Sequence, residues 1–177
     1  MNEFNSVIAG FGGQGVLFLG KVLAYIGLMN DKEVSWLPSY GPEMRGGTAN
    51  CSVCISDEPI GSPLVLNPNV FIAMNGPSFD KFINTVAPGG KVFIDSTLIS
   101  RKVERDDVIP YYVPATKLAD ENGLKGGANM VLLGKIFKET GFCSEEALKL
   151  GIQKCIPPRK ADRLESNLKA ISLGINY

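Results

Sequence analysis

Apolar residues along this chain recur in two spacings. Short continuous runs bounded by Gly, Pro, Asn and Asp read as buried strands, and longer stretches with apolar residues three and four apart read as helices. The runs predict strands over about 5–9, 33–37, 48–55, 70–74, 91–95 and 109–113. The longer period predicts helices over about 14–28, from 75–78 through Val86, 116–121 and 129–139, the last closed by Gly141. Ser144 is a good N-cap with Glu145 and Glu146 in the following turn, so another helix starts there and ends near Pro157-Pro158. A final helix is predicted over about 161–173, stopped by Gly174.

Strands that alternate with helices imply an α/β fold with a mostly parallel central sheet, covering 1–177 as one domain without linker or repeat. Val70 to Met74 is apolar throughout, as a central parallel strand requires. Val16, Leu17, Leu19, Val22, Leu23 and Ile26 cover most of the circumference of the first helix, so it is expected to be buried on more than one side. The stretch from Val16 to Met29 contains Lys21 and is shorter than the ~20 residues that span a bilayer.

The first strand runs into Gly10-Phe11-Gly12-Gly13-Gln14-Gly15, where Gly10, Gly12 and Gly15 have the G-x-G-x-x-G spacing of a dinucleotide-binding turn. The helix behind it would aim free N–H groups at an anion, and no acid lies in its first turn, 14–17. A nicotinamide site also needs a carboxylate at the end of the second strand to hold the ribose. That strand ends in Pro38-Ser39-Tyr40, and Asp31 and Glu33 lie at its wrong end. The turn therefore reads as a phosphate or carboxylate cradle, or as a packing device between strand and helix, and not as an NAD site.

A second constellation is the loop Tyr40-Gly41-Pro42-Glu43-Met44-Arg45-Gly46-Gly47. Arg45 could contact phosphate or carboxylate with both guanidinium nitrogens, and Glu43 could hold it by charge pairing. The glycine turn, this loop and Asn75-Gly76 all follow strands, so they should gather at one edge of the sheet, where ligands of open α/β sheets bind.

Composition narrows the chemistry. Eighteen Lys+Arg balance eighteen Asp+Glu, which argues against a general electrostatic grip on nucleic acid or an anionic membrane. His is absent, which removes the commonest general base and every His-ligated metal site. Cys51 and Cys54 have C-x-x-C spacing but fall on a predicted strand, where side chains three apart point to opposite faces. With Cys143 and Cys155 they read as reduced thiols of a cytoplasmic protein, and no tandem cysteine run for an iron–sulfur cluster is present. Met1–Asn5 has no basic region and does not read as a signal peptide.

Taken together, Gly10–Gly15 and Ser39–Gly47 resemble the gamma subunit of the 2-oxoacid:ferredoxin oxidoreductases, and the likeness continues through Ser56…Pro59-Ile60…Ser62-Pro63, Asn75, Asn129-Met130 and Leu164–Ala170. The resemblance implies a Rossmann-like three-layer domain in a heteromeric complex with alpha, beta and ferredoxin-like delta subunits. Such enzymes convert a 2-oxoacid and coenzyme A to acyl-CoA and carbon dioxide, with ferredoxin as acceptor. Thiamine pyrophosphate and iron–sulfur clusters lie on the partner subunits, and this chain lacks both the Gly-Asp-Gly thiamine motif and the cluster ligands. Coenzyme A handling is implied for Gly10, Gly12, Gly13, Gln14, Gly15, Tyr40, Glu43, Arg45, Gly46, Gly47 and Asn75, with no catalytic residue and no metal ligand on the chain. The form of the Gly41–Gly47 loop resembles the 2-oxoglutarate and the branched-chain or indolepyruvate enzymes, and 2-oxoglutarate is the expected substrate. The alternatives are an indolepyruvate oxidoreductase small subunit or a free-standing nucleotide-binding protein. A homodimer is expected when the partners are missing.

Overall fold

The computed structural model describes residues 3–39 and 48–177. The strands are β1 (Glu3–Phe11), β2 (Glu33–Ser39), β3 (Thr48–Ser56), β4 (Val70–Ala73), β5 (Lys91–Asp95) and β6 (Ile109–Val113). The helices are α1 (Val16–Met29), α2 (Gly76–Phe82), α3 (Ala115–Glu121), α4 (Ala128–Thr140), α5 (Glu145–Cys155) and α6 (Ala161–Asn176), with short 3-10 turns at Ile83–Thr85 and Pro158–Lys160.

The six strands form one sheet in the order β2-β3-β1-β4-β5-β6. The pairings β1–β4, β4–β5 and β5–β6 are parallel, while β3 runs antiparallel to both β2 and β1. The sheet is thus mostly parallel, as expected, with β3 the one reversed strand. The apolar run at 70–74 is the interior strand β4, wholly buried on both faces.

The two faces are covered unequally. Phe4, Ile8, Ile72 and Phe93 look toward a layer made of α1, α3, α4, α5 and α6. Val7, Ala9, Phe71, Val92 and Ile94 look the other way, onto α2 and the flanking segments that contribute Ile99 and Val108. Strand alternation places each set on its own side. Eight of the fourteen α1 residues are buried, consistent with a helix held between sheet and helices. It sits close on β2 and β3 because a Cβ at Gly20 would meet Cys51 Sγ at 2.5 Å, and one at Gly27 would meet Val34 Cγ2 at 2.7 Å.

Two boundaries differ from expectation. The glycine at 174 does not end the last helix, which continues to Asn176. Gly174 and Gly134 are where α6 crosses α4: a Cβ on Gly174 would run into the Val131 carbonyl oxygen, and one on Gly134 into that of Ile171. Absence of side chains, not termination, is what these positions need. The helix predicted to reach Val86 gives way after Phe82 to a 3-10 turn, Ile83–Thr85. Elsewhere shifts are of one or two residues, as helix ends commonly show. No helix among the described residues is long and apolar enough to cross a membrane.

Candidate functional site

β1 and β4 are parallel neighbours, but the chain leaves them in opposite directions. After β1 it enters α1, on the five-helix face, and after β4 it enters α2, on the other. This divergence opens a crevice beyond the carboxyl ends of the two strands, the place where open α/β sheets receive ligands. The glycine turn and Asn75 both lie there.

Within the turn each expected residue has a distinct task. Gly10 still belongs to β1, where a Cβ would lie 2.6 Å from Gln14 Oε1 and 2.8 Å from Met74 Cβ. Gly12 and Gly13 form the exposed turn, and Gly13 has a φ of 95°. Gln14 is not helical. Its Oε1 accepts from the Phe11 N–H at 2.6 Å, and its Nε2 donates to the Met74 carbonyl at 2.8 Å. Gly15 is the N-cap of α1 with a φ of 76°, a left-handed backbone that favours glycine. A Cβ there would collide with Asn129 Nδ2, which donates to the Gly15 carbonyl at 3.2 Å. The start of α1 has no side-chain cap and no acid in its first turn, so its N–H groups and positive dipole end are available to an anion.

Asn75 is buried and caps α2, its Oδ1 accepting from the Ser78 N–H at 2.9 Å. Its Nδ2 and the Ser78 hydroxyl are buried without a hydrogen-bond partner. Tyr40, Glu43, Arg45, Gly46 and Gly47 lie outside the described residues. The residues that flank them are placed: Thr48 pairs with Phe11 and Ser39 with Asn50, at the same sheet edge as the glycine turn.

A cleft of about 660 Å³ opens beside the turn, on the five-helix side. Its walls include Gly13, Gly15, Asn129, Lys125, Lys160 and Arg163. The volume falls in the usual range of small-molecule sites, roughly 300–1,000 Å³. A second hollow, between Gly13, Gln14, Met74 and Asp120, is smaller at about 200 Å³. The first cleft receives three helix starts: that of α1, that of α4, whose N-cap Gly127 makes no side-chain hydrogen bond, and that of α6, whose N-cap is Lys160. The three cations were not legible as site residues from sequence. The signal available was Gly126-Gly127 ahead of a helix, a second glycine turn like the first, with a lysine just before it.

The cysteines do not converge. Cys51 faces α1, with its thiol 3.8 Å from the Val16 carbonyl, while Cys54 faces the other side, 3.9 Å from the Ser62 carbonyl. Cys143 precedes the N-cap of α5 and Cys155 is its last residue, so the length of that helix lies between them. Burial pushes the Cys51 thiol up to about 12, with the Trp36 indole beside it pulling slightly the other way. Burial likewise raises Cys143 to about 12 and Cys155 to about 11, the latter opposed by Lys21. Burial thus favours the protonated thiol at all three positions. No group of three or more metal-ligating side chains occurs among the described residues.

An open, mostly parallel sheet with a glycine turn at its switch point, and a cleft lined by three cations beside it, defines an α/β domain with a candidate anion site. Residues 5–177 match the family described as Pyruvate ferredoxin/flavodoxin oxidoreductase, and the chain belongs to that family. It is 47% identical over 177 residues to the ketoisovalerate oxidoreductase subunit VorA of Methanothermobacter thermautotrophicus, spanning 99% of this chain but 36% of that protein. The chain thus covers about a third of the length of that relative. It is 36% identical over 170 residues to the 2-oxoglutarate synthase subunit KorC of Methanocaldococcus jannaschii, across 94% of this chain and 89% of the relative.

Solved structures agree with the fold. The gamma subunit of a keto/oxoacid ferredoxin oxidoreductase from Geobacter sulfurreducens superposes with a TM-score of 0.83 at 27% identity, covering 98% of this chain and 96% of that one. The 2-oxoglutarate:ferredoxin oxidoreductase of Magnetococcus marinus, solved with 2-oxoglutarate, coenzyme A and succinyl-CoA bound, gives 0.89 at 25% identity, over 99% of this chain and 31% of that one.

Proposed function

We propose that this chain is the gamma-type component, with 1–177 as one domain, of a cytoplasmic 2-oxoacid:ferredoxin oxidoreductase. The assembled enzyme would convert a 2-oxoacid and coenzyme A to acyl-CoA, carbon dioxide and reduced ferredoxin. Thiamine pyrophosphate and the iron–sulfur clusters would reside on alpha, beta and delta partners, since the four cysteines here are dispersed. This chain's own part is to hold coenzyme A. The observation that carries the reading is the uncapped start of α1, presented by the Gly12–Gly15 turn at the β1/β4 switch point. An acidic phosphate chain there would receive backbone N–H groups that no side chain among the described residues caps.

In this reading Gly12 and Gly13 let the ligand approach the backbone, Gln14 keeps the turn in shape, and Arg45 adds a permanently charged contact. The higher identity to a ketoisovalerate subunit, 47% against 36%, favours a branched-chain 2-oxoacid. The expectation of 2-oxoglutarate is the second reading, supported by the form of the Gly41–Gly47 loop and by the match along most of KorC.

The test is co-purification of the complex from its host, followed by acceptor reduction with ketoisovalerate, 2-oxoglutarate and indolepyruvate. Arg45→Ala and Gly12→Val should raise the KM for coenzyme A in the assembled enzyme. Normal assembly with unchanged coenzyme A kinetics in both variants would overturn the assignment, and the turn would be a packing device.

A further inference from the structure

We infer that Lys125, Lys160 and Arg163 form a second anion subsite that reads a phosphomonoester on the nucleotide end of the thiol ligand, separate from the diphosphate contact at the glycine turn. The inference rests on the coenzyme A reading above and assigns specificity within it.

The three cations come from two places in the chain and meet across one cleft. Lys125 lies in the turn before α4, and Lys160 and Arg163 lie at the start of α6, three residues apart and so on one face. The described lining of the cleft contains no carboxylate, and none of the three forms an ion pair among the described residues. Ser166 and Asn167, one turn further along α6, add neutral hydrogen-bonding groups.

Their position is locally unfavourable. A helix start carries partial positive charge, so a cation at the N-cap and another in the first turn oppose the dipole. Lys160 is the N-cap of α6, and only Asp162 in that turn offsets it. Lys125 stands ahead of the uncapped start of α4 in the same way. A rule of local stability broken at one spot, without an ion-pair partner among the described residues, marks a place suited to a group from outside the chain. The absent group must be strongly anionic.

The charge of the ligand divides between the two subsites. Each phosphate of a diphosphate diester carries one negative charge, which the backbone N–H groups of α1 suit. A phosphomonoester carries about −1.5 to −2 near neutral pH and calls for charged side chains. Glycine backbone and the three cations line the same cleft, within a volume of about 660 Å³. A nucleotide with a 5′-diphosphate and a 3′-phosphomonoester matches that division.

The experiment compares coenzyme A with 3′-dephospho-coenzyme A in the assembled enzyme. It uses the unmutated protein, a Lys160→Ala/Arg163→Ala double variant, and Gly12→Val. The double variant should raise the KM for coenzyme A about tenfold to a hundredfold, as expected for lost charge-assisted hydrogen bonds. It should leave kcat, assembly and the KM for the dephospho compound within about twofold, and Arg163→Lys should retain most of the discrimination. An equal rise for both compounds would overturn the inference, since the cations would then act only as a general field. Unchanged KM values in the double variant, with Gly12→Val raising both, would overturn it while leaving coenzyme A at the turn. If neither variant moves any KM, the inference and the reading beneath it both fail.

Discussion

The Gln14 side chain donates from Nε2 to the Met74 carbonyl at 2.8 Å, joining the turn after β1 to the end of β4 across sixty residues of sequence. With its other atom it accepts from the Phe11 N–H at 2.6 Å. One amide thereby holds both lips of the switch-point crevice, using its donor on one side and its acceptor on the other.

That arrangement predicts a difference between two substitutions. Gln14→Ala loses both bonds and should cost about 1–3 kcal/mol, at about 0.5–1.5 kcal/mol for each. Gln14→Glu keeps the acceptor for Phe11 but points a carboxylate oxygen at the Met74 carbonyl. It should destabilise the fold near neutral pH and recover in part as the carboxyl is protonated. Urea midpoints of the two variants at pH 5 and pH 8 check this; equal pH dependence in both would contradict it.

The α4–α6 crossing should tolerate no side chain. Gly134→Ala and Gly174→Ala each put a Cβ into a facing carbonyl oxygen, of Ile171 and Val131 respectively. Overpacking of this kind typically costs about 1–3 kcal/mol, and backbone obstruction lies at the upper end or beyond. Helix propensity alone would make the same changes stabilising by roughly 0.5–1 kcal/mol. Thermal unfolding therefore gives opposite signs for the two accounts.

Burial predicts an alkaline weakness at Cys51. Its thiol stays protonated in the fold up to about 12, against an ordinary value of 9.0. Above pH 9.0 the unfolded chain ionises this thiol while the folded chain holds its proton. Its contribution is fully present below that pH and falls by about 1.4 kcal/mol per pH unit as the pH rises toward the folded value. Denaturant unfolding at pH 8, 9.5 and 10.5 should show a shallower decline for Cys51→Ala than for the unmutated chain. The variant should be less stable at pH 8, where only the lost packing counts.

The chain on its own is expected to turn over no 2-oxoacid, since its sequence carries neither a Gly-Asp-Gly thiamine motif nor a cysteine run for an iron–sulfur cluster. It should also self-associate. Phe11, Leu37, Leu64 and Leu66 are exposed by 41%, 39%, 56% and 69%, an apolar burden that a component of a permanent complex would cover with a partner. Sedimentation at tens of micromolar, the order of magnitude of weak self-association, should give a dimer or larger species. A monomer would contradict this, as would acceptor reduction by the cofactor-supplemented chain.

Element type was legible throughout because each strand and helix carries its own period. Val70–Met74 could hardly be anything but an interior strand, and Ser144 with Glu145 and Glu146 announces α5. The opposed faces of Cys51 and Cys54 followed from strand alternation alone. Gly174 misled because a glycine late in a helix resembles a stop, and only the neighbouring helix reveals the need for a bare backbone.

The sequence by itself determined the alternation of elements, the glycine turn, the uncapped start of α1 and the missing ribose carboxylate. Each depends on residues within a few positions of one another. The tertiary structure decided that β3 runs against its neighbours, that β1 and β4 form the switch point, and that Gln14 closes on Met74. It also brought Lys125 across to Lys160 and Arg163. Those relationships join segments dozens of residues apart, and no local pattern encodes them. They arise because burying α1, α4 and α6 together on one face of the sheet leaves few ways to stack them, and the helix starts are carried along to meet at one cleft.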